Sequence, residues 1–221
     1  IEVRKAINLA IDKNKIIQLA MNGKGSPIYT NMSPVMSKFL WDAPEEKVDP
    51  QKAKQILEEK KLLPMEFTLK VPNSSKIYLD TAQSIREQLK DIGITVNLEM
   101  VEWATWLSDV YTNRKYVASL AGLAGKMEPD AILRRYTSTY AKNFTNFNNA
   151  KYDALIEEAK RTSNEAKQIE NYKEAQKILA EEQAAIFLMD PNTVIATEKG
   201  IEGFQFYPLP YLNFAKLYFK K

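Results

Sequence analysis

The chain has 221 residues, and its 31 Lys and Arg against 28 Asp and Glu give a formal charge of only +3. The charges are interspersed without a basic block, which argues against nucleic-acid binding. The absence of Cys and His excludes disulfides, thiolate metal sites and every Ser-His-Asp or Cys-His catalytic arrangement. We therefore expect no enzyme activity, no cofactor and no metal site, although a hydrolase that uses only carboxylates stays open.

The chain opens directly in a helical pattern, and Ile1 is not preceded by an initiator Met. No apolar run approaches the ~20 residues that span a bilayer. We interpret the sequence as a piece of a longer protein, so the lack of a signal peptide says nothing about where the whole protein resides.

The first part of the chain predicts two short helices and one long loop. Apolar residues at helical spacing in IEVRKAINLAI and a cap at Asp12 predict consecutive helices, the second ending near Gly23. Residues 26–50 then carry four prolines without a clear period. Such a loop is functional, packed against the protein or a surface meander, and the sequence leaves these alternatives open.

The middle of the chain alternates helices with strands. Asp49 caps a helix that starts at Pro50, and the following elements have short connections. In chain order these are the strand MEFTLKV, the helix SKIYLDTAQSIREQLKDIG, the strand ITVNLEMVE, the short helix WATWLSDVYTN and the buried strand KYVASLAGL. This order predicts an α/β fold in which helices flank a mixed sheet that includes parallel pairs.

The last part of the chain predicts a helical pair and an extended tail. Two helices with an inward stripe of Tyr, Leu, Ile and Ala meet near Thr162–Asn164. The tail, from about residue 192, is extended and aromatic, and its strands have no obvious local partner. We expect it to pair with a sheet elsewhere in the protein, because its aromatic side chains would otherwise be exposed.

Several stretches together resemble the C-terminal part of the extracellular solute-binding proteins of the peptide/nickel type, which serve ABC importers. They follow the family's order: VRKAINLAIDKNKII, DPQKAKQILEEKKL, IREQLKDIGITVNLEMVEWATWL, NFTNFNNAKYDALIEEA and YKEAQKILAEEQAAIFLMDPNTVIATEKGIEGFQFYPLPYLNFAKLYF. The ordered set, rather than one motif, carries the resemblance, and it extends over essentially the whole chain.

The resemblance implies two α/β lobes that enclose a ligand in the cleft between them, as in periplasmic binding proteins. Residues 1–191 would be the second, C-terminal lobe, and residues 192–221 would return to the first lobe, which lies outside this chain. The implied function is capture of a peptide or peptide-like solute for the permease subunits of an importer. Such proteins are extracytoplasmic, anchored by lipid at the cell surface or periplasmic. The alternative is a ligand-sensing module that reuses the same lobe.

The stretch SLAGLAGKMEPDAILRRYTS, residues 119–138, is the main candidate for a ligand site. In many peptide-binding members of the family, the corresponding loop carries a Trp and then an Asp that holds the peptide's α-ammonium. Here the place of the Asp falls on Lys126 or on Gly125, depending on the register, and the place of the Trp on Leu123 or Gly122. The acid is absent in both registers.

The charge of this loop favours an anionic group of the solute. Lys126 lies just ahead of a helix that starts at Pro129, and unpaired N–H groups at a helix N-terminus already favour negative charge. The alternative is that Glu128 neutralises Lys126 and both side chains face water.

Two arginines and three aromatic residues are further candidates. Arg134 is expected to form an i,i+4 ion pair with Asp130, whereas Arg135 has no obvious local partner. Of Trp103 and Trp106, at least one belongs in the core, and Trp103 could line the cleft, as could Tyr29 and Trp41 from the long loop. The candidate ligand-binding residues are Lys126, Arg135, Arg134, Leu123, Gly125, Trp103, Tyr29 and Trp41.

Overall fold

The computed structural model describes residues 1–45, 47–207 and 212–220. Its helices are α1 (Glu2–Ala10), α2 (Lys13–Met21), α3 (Pro50–Glu59), α4 (Lys76–Lys90), α5 (Trp103–Trp106), α6 (Pro129–Leu133), α7 (Ala150–Arg161) and α8 (Glu165–Glu181). Its strands are β1 (Gly25–Pro27), β2 (Met65–Pro72), β3 (Ile94–Val101), β4 (Ala118–Ser119), β5 (Met189–Pro191), β6 (Ile201–Glu202) and β7 (Tyr218–Phe219). A π-helical segment, Leu107–Thr112, continues α5, and a single 3-10 turn, Arg134–Tyr136, continues α6.

The helices begin where their capping residues predict. The carboxylate of Asp12 accepts a hydrogen bond from the backbone N–H of Lys15 at 3.1 Å, and that of Asp49 accepts from Lys52 at 2.9 Å. Asn22 ends α2 in the left-handed conformation, with φ of 50°. Within the described residues, none of the helices combines the length and the apolar character that a membrane span needs.

A three-stranded parallel sheet in the order β3-β2-β4 lies at the centre of the fold. Strand β2 pairs with β3 along its whole length, from Met65 opposite Ile94 to Pro72 opposite Val101. Helix α4 supplies the crossover from β2 to β3 that a parallel pair needs. The antiparallel pairs lie in two separate small sheets, β1 with β5 and β6 with β7. The predicted α/β class with parallel pairs is confirmed, but within the described residues parallel and antiparallel pairs lie in different sheets and not in one mixed sheet.

Strand β4 is much shorter than the predicted buried strand KYVASLAGL. It has two half-buried residues, which pair with Leu69 and Lys70 of β2, and the preceding Val117 is 77% exposed. The prediction of a long buried strand is wrong, because only Ala118 and Ser119 pair with β2 and the chain on either side of them lies outside the ladder. After Ser119 the chain leaves the ladder and runs as an irregular loop to α6.

The long proline-rich loop is packed against the fold. Its first residues form β1, and Met32 is wholly buried in the second core described below. The hydroxyl of Thr30 donates a hydrogen bond to the side-chain oxygen of Gln176 on α8 at 3.0 Å. The alternative of a free surface meander is therefore excluded for this part of the loop.

The tail does have local strand pairing, which corrects the sequence expectation. Strands β6 and β7 pair antiparallel, with Ile201 opposite Phe219 and Glu202 opposite Tyr218. Phe206, Phe214 and Phe219 nevertheless remain exposed. Residues 208–211 and 221 of the predicted tail lie outside the described residues.

Two main hydrophobic cores support these elements. The first lies between helices α1 to α4 and the parallel sheet and includes Ile11, Leu57, Val71, Leu89 and Ile94. The second joins α6, α7 and α8 and includes Met32, Leu133, Tyr152, Ile156 and Leu179. A smaller cluster of Val101, Trp106 and Val110 lies beneath the loop that follows β4.

Candidate functional site

The carboxyl ends of the three parallel strands form one edge of the central sheet, which we call the exit edge. Open α/β sheets bind ligands at this edge, because the loops that leave the strands surround a crevice there. After β2, the backbone N–H of Asn73 donates to the carbonyl of Val101 at 2.9 Å, and its side chain donates to Glu102 at 2.7 Å. The ends of β2 and β3 are thus joined side by side.

The edge loop, residues 120–128, leaves the exit edge after β4 and is anchored at its base. The hydroxyl of Ser119 donates to the carbonyl of Lys70 at 2.9 Å and accepts a hydrogen bond from Nε1 of Trp106 at 2.9 Å. The backbone N–H of Leu120 donates to the same Lys70 carbonyl at 3.1 Å. A core tryptophan therefore fixes the direction in which the loop leaves the sheet.

Gly122 is held against the first turn of α4. Its N–H donates to the Tyr78 hydroxyl at 3.2 Å, and a Cβ at this position would lie only 2.8 Å from that oxygen. A side chain here must push the tyrosine away and break the hydrogen bond. Gly125 is different, because an added Cβ would meet nothing within 4 Å.

These two glycines make a matched pair. Gly122→Ala should destabilise the full-length protein by about 1 kcal/mol, the usual value of one hydrogen bond. Gly125→Ala should leave stability unchanged or raise it slightly, because alanine narrows the unfolded ensemble. Urea unfolding of the two variants beside the parent protein measures both effects, and equal midpoints for the two variants would contradict the contact with Tyr78.

The two arginines contact neighbouring groups in the fold. Nη1 of Arg134 lies 3.8 Å from Oδ2 of Asp130, which is the predicted i,i+4 pair, and the guanidinium lies over the ring of Tyr140. Nη2 of Arg135 donates to the carbonyl of Ala124 at 3.2 Å. Arg135 was expected to lack a local partner, but it holds the middle of the edge loop through a backbone oxygen.

Lys126 is the free charge of the edge loop. It is exposed, and it has no hydrogen-bond or ion-pair partner among the residues that the structure describes. The expected alternative of a salt bridge with Glu128 is not present between these two described side chains. Leu123 and Met127 of the same loop are also exposed. The loop thus presents one cation between apolar side chains, and Glu128 at its end is exposed as well, which agrees with the part of the alternative in which both charges face water.

Trp103 and Trp106 divide their roles between surface and core. Their rings are stacked with centroids 5.0 Å apart and 2° between the planes. Trp106 is 1% exposed and also contacts Phe144, whereas Trp103 is 41% exposed. The prediction that at least one of them belongs to the core is confirmed. Trp103 offers a flat apolar surface on rigid support at the end of β3.

Tyr29 and Trp41 lie in two other pockets. The Tyr29 ring lies under the ammonium of Lys13, 4.1 Å from its centroid, and lines a pocket of about 360 Å³ with α2 residues. Trp41 lines a pocket of about 310 Å³ with residues of α7 and α8. Neither pocket is lined by residues of the edge loop. Their predicted place in a cleft between lobes stays a prediction.

Sequence reasoning missed the groups that support the exit edge. Nζ of Lys70 lies 2.9 Å from Oδ2 of Asp109 and 3.5 Å from Oε1 of Glu99, which ties the π-helical segment to the central strand. The hydrogen bond to Asp109 raises the pKa of Lys70, and the same bond lowers the pKa of Asp109. No sequence signal links these residues, since Lys70 and Asp109 are 39 positions apart.

The site offers binding groups in place of reactive ones. In the described part of the chain, no group of three or more His, Cys, Asp or Glu side chains is arranged to hold a metal ion. The contacts available at the exit edge are an exposed ammonium, an exposed indole and the free backbone groups of the edge loop. Such groups bind a solute through charge, stacking and hydrogen bonds.

Comparison with known proteins agrees with this description. The family model described as bacterial extracellular solute-binding proteins, family 5 Middle, matches residues 1–144. The oligopeptide-binding protein AppA of Bacillus subtilis is 29% identical over 225 aligned residues, which cover 94% of this chain and 41% of that protein.

Solved structures match the whole chain. The structure of AppA from Bacillus subtilis in complex with a nonapeptide matches with a TM-score of 0.86 at 28% identity, covering 100% of this chain and 47% of its own. The ABC transporter substrate binding protein CtaP of Listeria monocytogenes matches with a TM-score of 0.88 at 26% identity, with the same coverage. The chain therefore spans less than half the length of these proteins.

Proposed function

The chain belongs to the bacterial extracellular solute-binding proteins of family 5, and we propose that it is the second lobe of the substrate-binding component of an ABC importer. The whole protein captures a peptide or peptide-like solute between two lobes and delivers it to the permease subunits. The observation that carries this proposal is the exit edge, where an anchored loop and an exposed indole face the side on which α/β folds bind ligands. The AppA complex with a nonapeptide supports the class of solute.

Within this lobe, the edge loop is the main ligand contact. Lys126 attracts an anionic group of the solute, and Arg135 keeps the loop in place and can add charge. Leu123 and Trp103 provide apolar surface, and Gly125 leaves the loop backbone accessible. Arg134 has a smaller role, because Asp130 already holds its guanidinium. Tyr29 and Trp41 act at the edges of the cleft, if the first lobe reaches them.

Residues 1–191 form the lobe, and residues 192–221 return to the first lobe of the full-length protein. The exposed Phe206, Phe214 and Phe219 support this division, because an aromatic surface of this kind needs a partner. The greater length of the matching proteins supports it as well, since a first lobe has to lie outside this chain.

The mechanism is a population shift without chemistry, so the protein is not an enzyme. Solute contacts that exist only in the closed arrangement of the lobes shift an open–closed equilibrium, and the permease recognises the closed form. The protein acts outside the cytoplasm, anchored by lipid at the cell surface or free in the periplasm. The family of extracellular solute-binding proteins supports this location.

Native mass spectrometry of the full-length protein, purified from its own cells, tests the function. We expect one peptide or peptide-like molecule per protein chain, which denaturation releases for identification. A protein that stays empty after incubation with peptide mixtures, or that carries a solute of another class, would contradict the proposal.

A further inference from the structure

A pocket of about 310 Å³ lies between Trp41 and the helical pair α7–α8. Trp41 and Leu155 form its apolar wall. The backbone of residues 39–41 is fixed by the buried side chain of Gln176. This side chain accepts a hydrogen bond from the Trp41 backbone N–H at 3.2 Å and donates one to the Phe39 carbonyl at 2.8 Å. The walls of the pocket therefore belong to parts of the chain that the fold holds in place.

The polar wall of the pocket contains a buried side chain with an unused donor. Asn171 is 1% exposed, and its Nδ2 has no hydrogen-bond partner in the described part of the chain. Buried polar atoms in native proteins are nearly always paired with protein, water or ligand. The Nδ2 atom is shielded from the pocket in this conformation, so a ligand reaches it only when the amide rotates about χ2, which is a soft torsion in asparagine.

Around the pocket, one of the described lysines has no ion-pair partner. Nζ of Lys167 lies 3.2 Å from Glu170, and Nζ of Lys151 lies 2.7 Å from Glu174. The hydrogen bond from Lys151 lowers the pKa of Glu174, so this carboxylate stays charged and engaged at neutral pH. Lys173 also lines the pocket, and it has no ion-pair partner among the described side chains. An anion is therefore preferred over a cation.

We propose that this pocket is a second binding site, which takes a small carboxylate that bears a flat apolar group. The flat group packs on Trp41, the carboxylate pairs with Lys173, and one carboxylate oxygen accepts a hydrogen bond from Asn171. The pocket volume lies within the range of small-molecule sites. Residues of the edge loop do not line the pocket, so this site is separate from the main ligand contact proposed above, although the two proposals share Trp41.

The experiment titrates phenylacetate into the full-length protein carrying isotope-labelled tryptophan, observed by NMR. The indole resonance of Trp41, identified by its loss in Trp41→Phe, should move with a millimolar dissociation constant, as a ligand of this size allows. Phenylacetamide, which has a similar shape without the charge, should bind about fivefold more weakly or not at all.

Two lysine variants separate the pocket from general surface charge. Lys173→Gln should weaken phenylacetate binding about fivefold, whereas Lys90→Gln, an exposed position on α4 outside the pocket, should leave it unchanged. Equal weakening by both variants, or a Trp41 resonance that does not move, would overturn the proposal. Movement of the Trp103 resonance instead would place the probe at the edge loop and would overturn it as well.

Discussion

Replacing Trp106 with alanine should destabilise the full-length protein by about 3–5 kcal/mol, the usual effect of truncating a large buried aromatic side chain. Trp106 is almost wholly buried, and its ring contacts the rings of Trp103, Tyr111 and Phe144. Truncation removes all three contacts and leaves a cavity beneath the edge loop. Urea unfolding should show a lower midpoint with an unchanged slope, as expected when stability alone changes.

The neighbouring tryptophan provides the matched control. Trp103→Ala should cost about 1 kcal/mol, the value of one aromatic pair, because this ring is partly exposed. The same variant should weaken solute binding more than it weakens folding, since Trp103 is a proposed ligand contact next to the carboxyl end of β3. Similar losses of stability in the two variants would contradict the assignment of Trp106 to the core and Trp103 to the surface.

A milder change separates packing from the hydrogen bond at the base of the loop. Trp106→Phe keeps most of the apolar volume but removes the Nε1 donor to Ser119. The amide of Leu120, which donates to the Lys70 carbonyl, should then exchange its hydrogen faster, because opening of the loop base becomes easier. An unchanged exchange rate at Leu120 would show that Ser119 holds the loop without help from Trp106.

The elements whose signals are local in sequence were predictable. The caps at Asp12 and Asp49 lie within three residues of the N–H groups that they bind. The alternating apolar residues of β2 and β3 pack into one shared core. Parallel pairing followed from the intervening helix α4, because parallel strands need such a crossover. Fold class therefore follows from short-range patterns.

The features that the sequence did not predict depend on contacts between residues that are distant in the chain. Strand β4 pairs with β2 at only two residues, and the KYVASLAGL pattern carries no information about how far this pairing with a distant strand extends. Gly122 is held by Tyr78, which is 44 positions away, so its role as a contact glycine had no local signal. The β6–β7 pairing places Glu202 opposite Tyr218, which is 16 positions away. Long-range contacts of this kind decide the detailed shape of the site.

The edge loop is held by hydrogen bonds and carries an exposed lysine, and this combination affects its affinity for a solute. Hydrogen bonds at Leu120, Gly122 and Ala124 hold the first half of the loop, whereas Lys126 beyond them remains exposed. A loop that is already ordered loses less conformational freedom when a ligand binds. The lone cation is therefore presented on a backbone that is largely organised in advance.

Lys126→Asp should weaken binding of the natural solute by about tenfold or more, or ~1.5 kcal/mol, if the solute meets the loop with an anionic group. The change replaces attraction by repulsion at the loop's one cation and adds a second acid beside Glu128. Isothermal titration of the full-length protein with the solute identified by mass spectrometry measures the effect. Binding by the parent protein should also weaken as salt is added, because salt screens an exposed charge pair.

Lys52→Asp is the matched control, because Lys52 is an exposed lysine in the first turn of α3, where an acid is well tolerated. It makes the same change in net charge, so equal weakening by both variants would indicate a general charge effect. An affinity that Lys126→Asp leaves unchanged would mean that Lys126 faces solvent in the closed form. Tighter binding by Lys126→Asp would mean that the loop meets a cationic group of the solute. A selective loss at Lys126 would establish that the charge of this loop is matched to an anionic part of the solute.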